Sequence, residues 1–137
     1  MKAKLSFKQS IVAGLLAAGT AAIVNAILFF IFHAAGIITD DIMVQPNMPM
    51  TVVPVIISSI LPTLIATVVF FLLEKYTANG FKIFTIISVI LMVLSFANPF
   101  VGIPGIGVAY GIVLNVMHVV VVAALLFFIN RAKNTNA

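Results

Sequence analysis

Residues 11–35 read IVAGLLAAGTAAIVNAILFFIFHAA, an apolar stretch without a single acidic, lysine or arginine side chain. About 20 apolar residues suffice for a helix to cross the ~30 Å hydrocarbon core of a bilayer, so this stretch predicts a transmembrane helix. It follows the basic segment MKAKLSFKQS, as a signal-peptide core would, but it exceeds the ~7 to 15 residues of such a core. We therefore expect a retained anchor rather than a segment that is cleaved after a small residue such as Ala26.

The composition of the whole chain is that of a membrane protein. Of its 137 residues, 64% are hydrophobic and 7% are charged, whereas soluble domains contain about 25% charged residues. No polar stretch is long enough to form a second domain, so residues 1–137 are expected to form one transmembrane domain. The absence of cysteine excludes disulfides and thiolate metal sites. The net charge of +4 forms no stripe that would follow a phosphate backbone, and no nucleic-acid partner is expected.

Three more apolar stretches follow the first one. None of them alternates polar with apolar residues as the wall of a membrane barrel does. The sequence therefore predicts an all-α, polytopic membrane protein with a bundle of four transmembrane helices. The predicted spans are approximately 10–35, 51–73, 81–97 and 105–129.

The basic residues predict the orientation of these spans. All of them fall before the first span, between the second and third, or after the fourth, while Asp40 and Asp41 lie in the first loop. Because loops rich in Lys and Arg stay in the cytoplasm, both termini are expected to be cytoplasmic. The residues concerned are Lys2, Lys4, Lys8, Lys75, Lys82, Arg131 and Lys133.

The third connection, NPFVGIPGIG at residues 98–107, is unusually apolar for a loop. Asn98 and Pro99 are expected to end the third helix. The connection then either dips back into the outer leaflet, where protein must cover its backbone, or forms a tight turn at the interface.

Small residues mark the helix faces that are expected to pack together. Gly14, Ala18, Ala22 and Ala26 recur every four residues on the first span, and Gly107 and Gly111 do the same on the fourth. Such rows let helix backbones approach closely in lipid. At about 100° per residue, Asn25 lies on the first face and Asn115 continues the second, so the two faces are expected to pack against each other.

A few polar side chains lie at similar depths within these spans. Asn25 and Asn115 are each about ten residues from the outer end of their span, or near 15 Å at 1.5 Å per residue. His118 shares the face of Asn115, and Thr63 and Ser88 fall within about one turn of the same layer. The cluster either lines a buried polar site or fixes helix register through interhelical hydrogen bonds, and we favour the second interpretation.

Catalytic and metal-binding patterns are lacking, so we expect neither an enzyme nor a cofactor. His33 and His118 differ in depth by about 15 Å and cannot share one metal ion. No intramembrane carboxylate is present for proton-driven exchange, because Glu74 lies at the cytoplasmic end of the second span, where a salt bridge with Lys75 is expected. No nucleophile triad or phosphate-binding loop is found.

Three short motifs resemble a family of small bacterial membrane proteins known as domain of unknown function 6069. They are LLEKYT at 72–77, VLSFANP at 93–99 and MHVVVVAALL at 117–126, and they place Glu74, Pro99, Met117 and His118 on family positions. The resemblance implies four spans in a bacterial inner membrane. It implies no activity.

Three functions are compatible with these features. The first is a noncatalytic accessory or interaction subunit that uses its small-residue faces to associate with itself or with a membrane protein partner in the lipid bilayer. The second is an oligomeric pathway for a small solute or ion. The third is the binding of a lipid or quinone-like ligand between helices beneath the apolar connector. The scarcity of polar residues argues against the second.

Overall fold

Five helices account for most of the chain in the computed structural model, which describes residues 4–136. The predicted all-α class is confirmed, although the first loop also contains a small antiparallel hairpin that the sequence does not predict. In chain order, the elements are α1 (Phe7–Ala34), β1 (Met43–Gln45), β2 (Met48–Pro49), α2 (Val52–Tyr76), α3 (Gly80–Ser95), α4 (Asn98–Gly102) and α5 (Val108–Thr135).

Three of these helices, α1, α2 and α5, are long and apolar enough to cross a membrane. They have 28, 25 and 28 residues, whereas the apolar α3 has 16. At 1.5 Å per residue, α3 is about 24 Å long, shorter than a typical hydrocarbon core. The helices indicate an integral membrane protein with three candidate spans and one shorter apolar helix.

α1 begins earlier and α5 ends later than the predicted spans, because polar residues extend both helices beyond the apolar stretches. α1 begins at Phe7, where the hydroxyl of Ser6 accepts from the backbone N–H of Gln9 at 3.2 Å and the Gln9 side chain accepts from the Ser6 N–H at 2.8 Å. This reciprocal capping box satisfies two helix-end donors. α5 runs to Thr135, beyond the apolar stretch that ends near residue 129.

The most extensive packing between helices is that of α1 against α2. α1 packs along α2 and α5, while α3 packs against α2 and α5. Two apolar cores result, one on either side of the level of Asn25. The first contains Phe29, Ile38, Met50, Val55, Tyr110, Val113, Leu114 and Met117. The second contains Leu5, Ala13, Ala17, Phe70, Phe84, Leu125 and Ile129.

One end of the bundle, here called the basic end, gathers the basic residues. The Lys4 ammonium donates to the carbonyls of Lys75 and Thr77 at 3.3 and 3.1 Å, and Gln9 donates to the Asn136 side chain at 2.8 Å. These contacts join the start of α1, the α2–α3 connection and the end of α5. Every described Lys and Arg lies on these segments or within one helical turn of them, and Lys2 lies outside the described residues. The hairpin, α4, Asp40 and Asp41 lie at the opposite, loop end.

The apolar third connection forms a short helix, α4, instead of an irregular loop. Pro99 is buried, and Val101 is 85% exposed. A side chain at Gly111 would collide with the Phe100 ring, so α4 lies directly on α5. The expected packing of the Gly107 and Gly111 face against α1 is therefore wrong, because Phe100 occupies the space in front of Gly111.

Candidate functional site

A cavity of about 840 Å³ lies between α2 and α5 at the loop end. Its walls are formed by α2 between Val53 and Pro62, by α5 between Leu114 and Val121, by the hairpin, by α4 and by Asn25 of α1. Pockets for small molecules typically measure ~300 to 1,000 Å³. Within the described part of the chain, no Asp, Glu, Lys or Arg side chain lines this cavity.

Asn25 of α1 and Ser59 of α2 are the two buried polar residues that the structure describes on the cavity wall. Asn25 is 2% exposed, and its amide nitrogen donates to the hydroxyl of Ser59 at 2.9 Å and to the carbonyl of Met117 at 3.2 Å. Its side-chain oxygen is buried and has no hydrogen-bond partner among residues 4–136. A buried polar atom without a partner costs free energy, so this oxygen is a candidate contact for a ligand.

His118 of α5 lines the same cavity and is half-buried. Its Nδ1 atom is buried without a hydrogen-bond partner in the described structure. Two residues on this largely apolar wall, Asn25 and His118, thus each have one buried polar atom without a partner in the described structure. Pockets of this kind use a few polar groups to orient a mainly apolar ligand.

The five polar residues predicted to cluster do not all come together. Asn25 and His118 share the cavity, and the buried Thr63 lies one turn beyond Ser59, donating to its carbonyl at 2.7 Å. Asn115 instead donates to the carbonyl of Phe96, at the end of α3, at 3.0 Å. Ser88 is half-buried on α3 and makes no hydrogen bond to the other members in the region that the structure describes.

The predicted contact between Asn25 and Asn115 is wrong for a geometric reason. Asn25 meets α5 at the level of Met117, within two residues of Asn115, so the depth estimate is sound. Two residues along a helix rotate a side chain by about 200°, however, and Asn115 accordingly faces α3. Depth alone therefore does not identify the partner.

Three α2 residues that the sequence analysis does not place together form the interface with α1. Ser59, Thr63 and Thr67 are buried four residues apart, and each hydroxyl donates to the carbonyl one turn earlier. A side chain at Gly14 would collide with Thr67, so the small-residue face of α1 packs closely on α2. The four-residue spacing of Ser59, Thr63 and Thr67 is the signal that would have identified this face.

The expected salt bridge between Glu74 and Lys75 is also wrong. Glu74, on the last turn of α2, pairs with Lys133 near the end of α5, and both side chains are buried. Lys75 instead lies with its ammonium 5.1 Å from the centre of the Tyr76 ring. The reason is that Glu74 points into the bundle, whereas the next residue along the helix points outward.

The loop end carries a second polar pair, His33 and Asp40, neither of which lines the cavity. His33 Nε2 lies 3.0 Å from an Asp40 carboxylate oxygen, and the His33 ring stacks on Phe29 at 5.6 Å. The Asp40 side chain is 82% exposed. This contact joins the last turn of α1 to the first loop and leaves the carboxylate in solvent.

Comparisons with known proteins identify the family of the chain. No curated protein matches it, and no solved structure does. Residues 6–135 match the family of unknown function DUF6069. The resemblance carried by the three short motifs is thereby confirmed over nearly the whole chain, and the protein belongs to the family DUF6069.

Proposed function

We propose that the protein is a noncatalytic integral membrane protein that binds an uncharged amphipathic molecule from the bilayer in the cavity between α2 and α5. The observation that carries this proposal is the cavity itself, which has no Asp, Glu, Lys or Arg on its wall, measures about 840 Å³ and is lined by Asn25, whose buried side-chain oxygen has no partner among the described residues. A charged ligand would lose its hydration without gaining a counterion there.

The wall of the cavity on α2 supports entry from the lipid. Val53, Ile57 and Leu61 are spaced four residues apart, line the cavity and are about half-exposed on the surface of the helix. Deeper positions carry Ser59 and Asn25. This order, apolar outside and polar inside, suits a molecule with a hydrocarbon chain and a small polar head.

The core beyond Asn25 argues against a transport pathway. The hydroxyls of Thr63 and Thr67 are occupied by carbonyls of their own helix. Closer to the basic end lie the side chains of Ala17, Phe70 and Leu125. A solute or ion passing through the bundle would have to cross this apolar layer, whereas a ligand that enters and leaves from one side does not.

Association through α3 is the second candidate function, in which the protein is an accessory or interaction subunit of itself or of another membrane protein. Within α3, all of which is described, the buried residues are Gly80 and Phe84. Ile86, Ile90 and Leu94 form an exposed apolar row. Such a row fits either lipid or a neighbouring helix, and the cavity gives the binding function the more specific support.

The proposed topology has four spans with both termini in the cytoplasm of a bacterium. α3 begins beside Glu74 at the basic end, and the carbonyl of Phe96, just after its last residue, accepts the hydrogen bond of Asn115. α3 and the following α4, which packs at Gly111, together extend from the basic end to the loop end, and this supports a fourth span. With five residues, α4 is about 7.5 Å long, which favours an interfacial turn over a re-entrant segment.

The binding proposal can be tested by filling the cavity. Ser58→Phe places a ring in the cavity, while Ile65→Phe places the same ring on the exposed side of the same helix, away from the cavity. In native mass spectrometry after mild extraction, we expect wild type and Ile65→Phe to retain a neutral lipid and Ser58→Phe to lose most of it. Equal retention by all three proteins would contradict the proposal.

A further inference from the structure

The hydrogen bonds already made by Asn25 and its neighbours restrict which kind of ligand the cavity can bind, provided that the proposed binding function holds. We infer that the bound molecule is a neutral lipid with a free hydroxyl, which donates its hydrogen to the side-chain oxygen of Asn25. Long-chain alcohols, diacylglycerols and quinols belong to this class. Their ethers, their esters and oxidised quinones do not, because they present acceptors alone.

The orientation of the Asn25 amide follows from its neighbours. The Met117 carbonyl, 3.2 Å away, can only accept a hydrogen bond. The atom that faces it is therefore the amide nitrogen, and the same nitrogen reaches Ser59 at 2.9 Å. The unpaired atom is the oxygen, which accepts and does not donate.

The nearby hydroxyls of α2 have no hydrogen left for this oxygen. Ser59 donates its hydrogen to the carbonyl of Val55 at 2.8 Å, and Ser58 donates to the same carbonyl at 3.1 Å. Thr63 donates to the carbonyl of Ser59. Because each hydroxyl has one hydrogen, the donor for Asn25 must come from outside these side chains.

A second acceptor on the same wall points to the same chemistry. Pro62 lies inside α2 and has no N–H, so the carbonyl of Ser58, four residues earlier, lacks its helical donor. Ser58 and Pro62 both line the cavity. A ligand that presents only acceptors would leave both this carbonyl and the Asn25 oxygen without a donor, whereas a ligand hydroxyl supplies one hydrogen to one of them.

The experiment compares oleyl alcohol with oleyl methyl ether, which differ by the replacement of a donor with a methyl group. Binding of each probe to the full-length protein in detergent is measured by native mass spectrometry. We expect the ether to bind about ten-fold more weakly, as the loss of one buried hydrogen bond implies. This measurement uses wild type and does not depend on whether a variant folds.

Two variants locate the effect at Asn25. Asn25→Leu keeps the size of the side chain and removes the acceptor, so alcohol and ether should bind equally to it. Asn115→Leu is the matched control, because Asn115 bonds to the Phe96 carbonyl and does not line the cavity. It should keep the ten-fold preference.

The possible outcomes separate this inference from the proposed function. If both probes bind wild type equally, a retained water molecule satisfies Asn25 and the hydroxyl inference is wrong, while the cavity remains a binding site. If neither probe binds, and Ser58→Phe retains as much lipid as wild type, the proposed function fails as well. A preference for the alcohol that persists in Asn25→Leu also overturns the inference.

Discussion

At the scale of single residues, the buried pair Glu74 and Lys133 ties α2 to α5 at the basic end. Each charge has lost most of its water, since Glu74 is 3% and Lys133 7% exposed. Removing one member of a buried pair typically costs ~3 to 5 kcal/mol because the other charge is left uncompensated. The neighbouring Lys75 does not pair with Glu74 and does not join the two helices.

This difference gives a prediction for three charge variants. Glu74→Gln and Lys133→Gln should each lower the thermal stability of the purified protein, corresponding to roughly 3 kcal/mol. Lys75→Gln should change it by less than ~0.5 kcal/mol, as exposed substitutions do. A thermal unfolding series in one detergent measures all three. If Lys75→Gln lost as much thermal stability as Glu74→Gln, Lys75 would be the partner of Glu74, as expected from the sequence, and the prediction would be wrong.

At the scale of the helices, two glycines of α1 have different surroundings. A side chain at Gly14 would collide with Thr67 of α2, whereas a side chain at Gly19 would meet nothing within 4 Å. Both lie inside a helix, where Ala is favoured over Gly by ~1 kcal/mol. The close approach of α1 and α2 therefore depends on Gly14 and not on Gly19.

Substitution of each glycine by alanine tests that approach. Gly14→Ala should lower the melting temperature because the added methyl group forces α1 away from α2. Gly19→Ala should leave it unchanged or raise it slightly through helix propensity. Melting curves in detergent provide the comparison. Equal stability of the two variants would mean that α1 and α2 do not pack through this face.

At the scale of the molecule, the separation of basic and acidic residues supports one orientation in the membrane. The described Lys and Arg residues lie at the basic end, and Asp40 and Asp41 lie at the loop end. The charge pattern along the sequence and the contacts between helix ends therefore agree. Under the proposed topology, the cavity and its hairpin lie in the outer half of the membrane.

Cysteine labelling tests this topology directly, since the natural chain has no cysteine. Asp40→Cys and Thr135→Cys place single thiols at the loop end and the basic end. A membrane-impermeant maleimide should label Asp40→Cys in intact cells and Thr135→Cys only after permeabilisation. Labelling of both from the same side would contradict the proposed four-span arrangement.

The apolar helices were predictable because lipid permits only a backbone whose hydrogen bonds are made internally. Hydropathy therefore locates α1, α2 and α5 to within a few residues, with polar ends such as Ser6 and Thr135 lying outside the apolar stretches. The neighbours of individual side chains were less predictable. Helix periodicity gives the direction of Asn115 on α5, but it does not say which helix lies on that side.

The cavity was not predictable from sequence for a related reason. Its wall combines α2, α5, the hairpin and α4, which are distant along the chain. The hairpin residues 43–49 show no clear alternation of polar and apolar side chains that would predict strands. Asn25 and His118 could be singled out by their polarity, but the absence of a partner for each could be recognised only from the packed structure.

The short length of α3 has a consequence for the surrounding lipid. Under the proposed topology, a helix of about 24 Å stands beside neighbours of about 37 to 42 Å. Acyl chains next to α3 must shorten or tilt to match it, at a cost of fractions of a kcal/mol for each Å of mismatch. Two copies that meet along α3 would share one zone of thinned bilayer instead of creating two. Under the proposed topology, the membrane itself would therefore favour association along this helix, without any specific contact between the proteins.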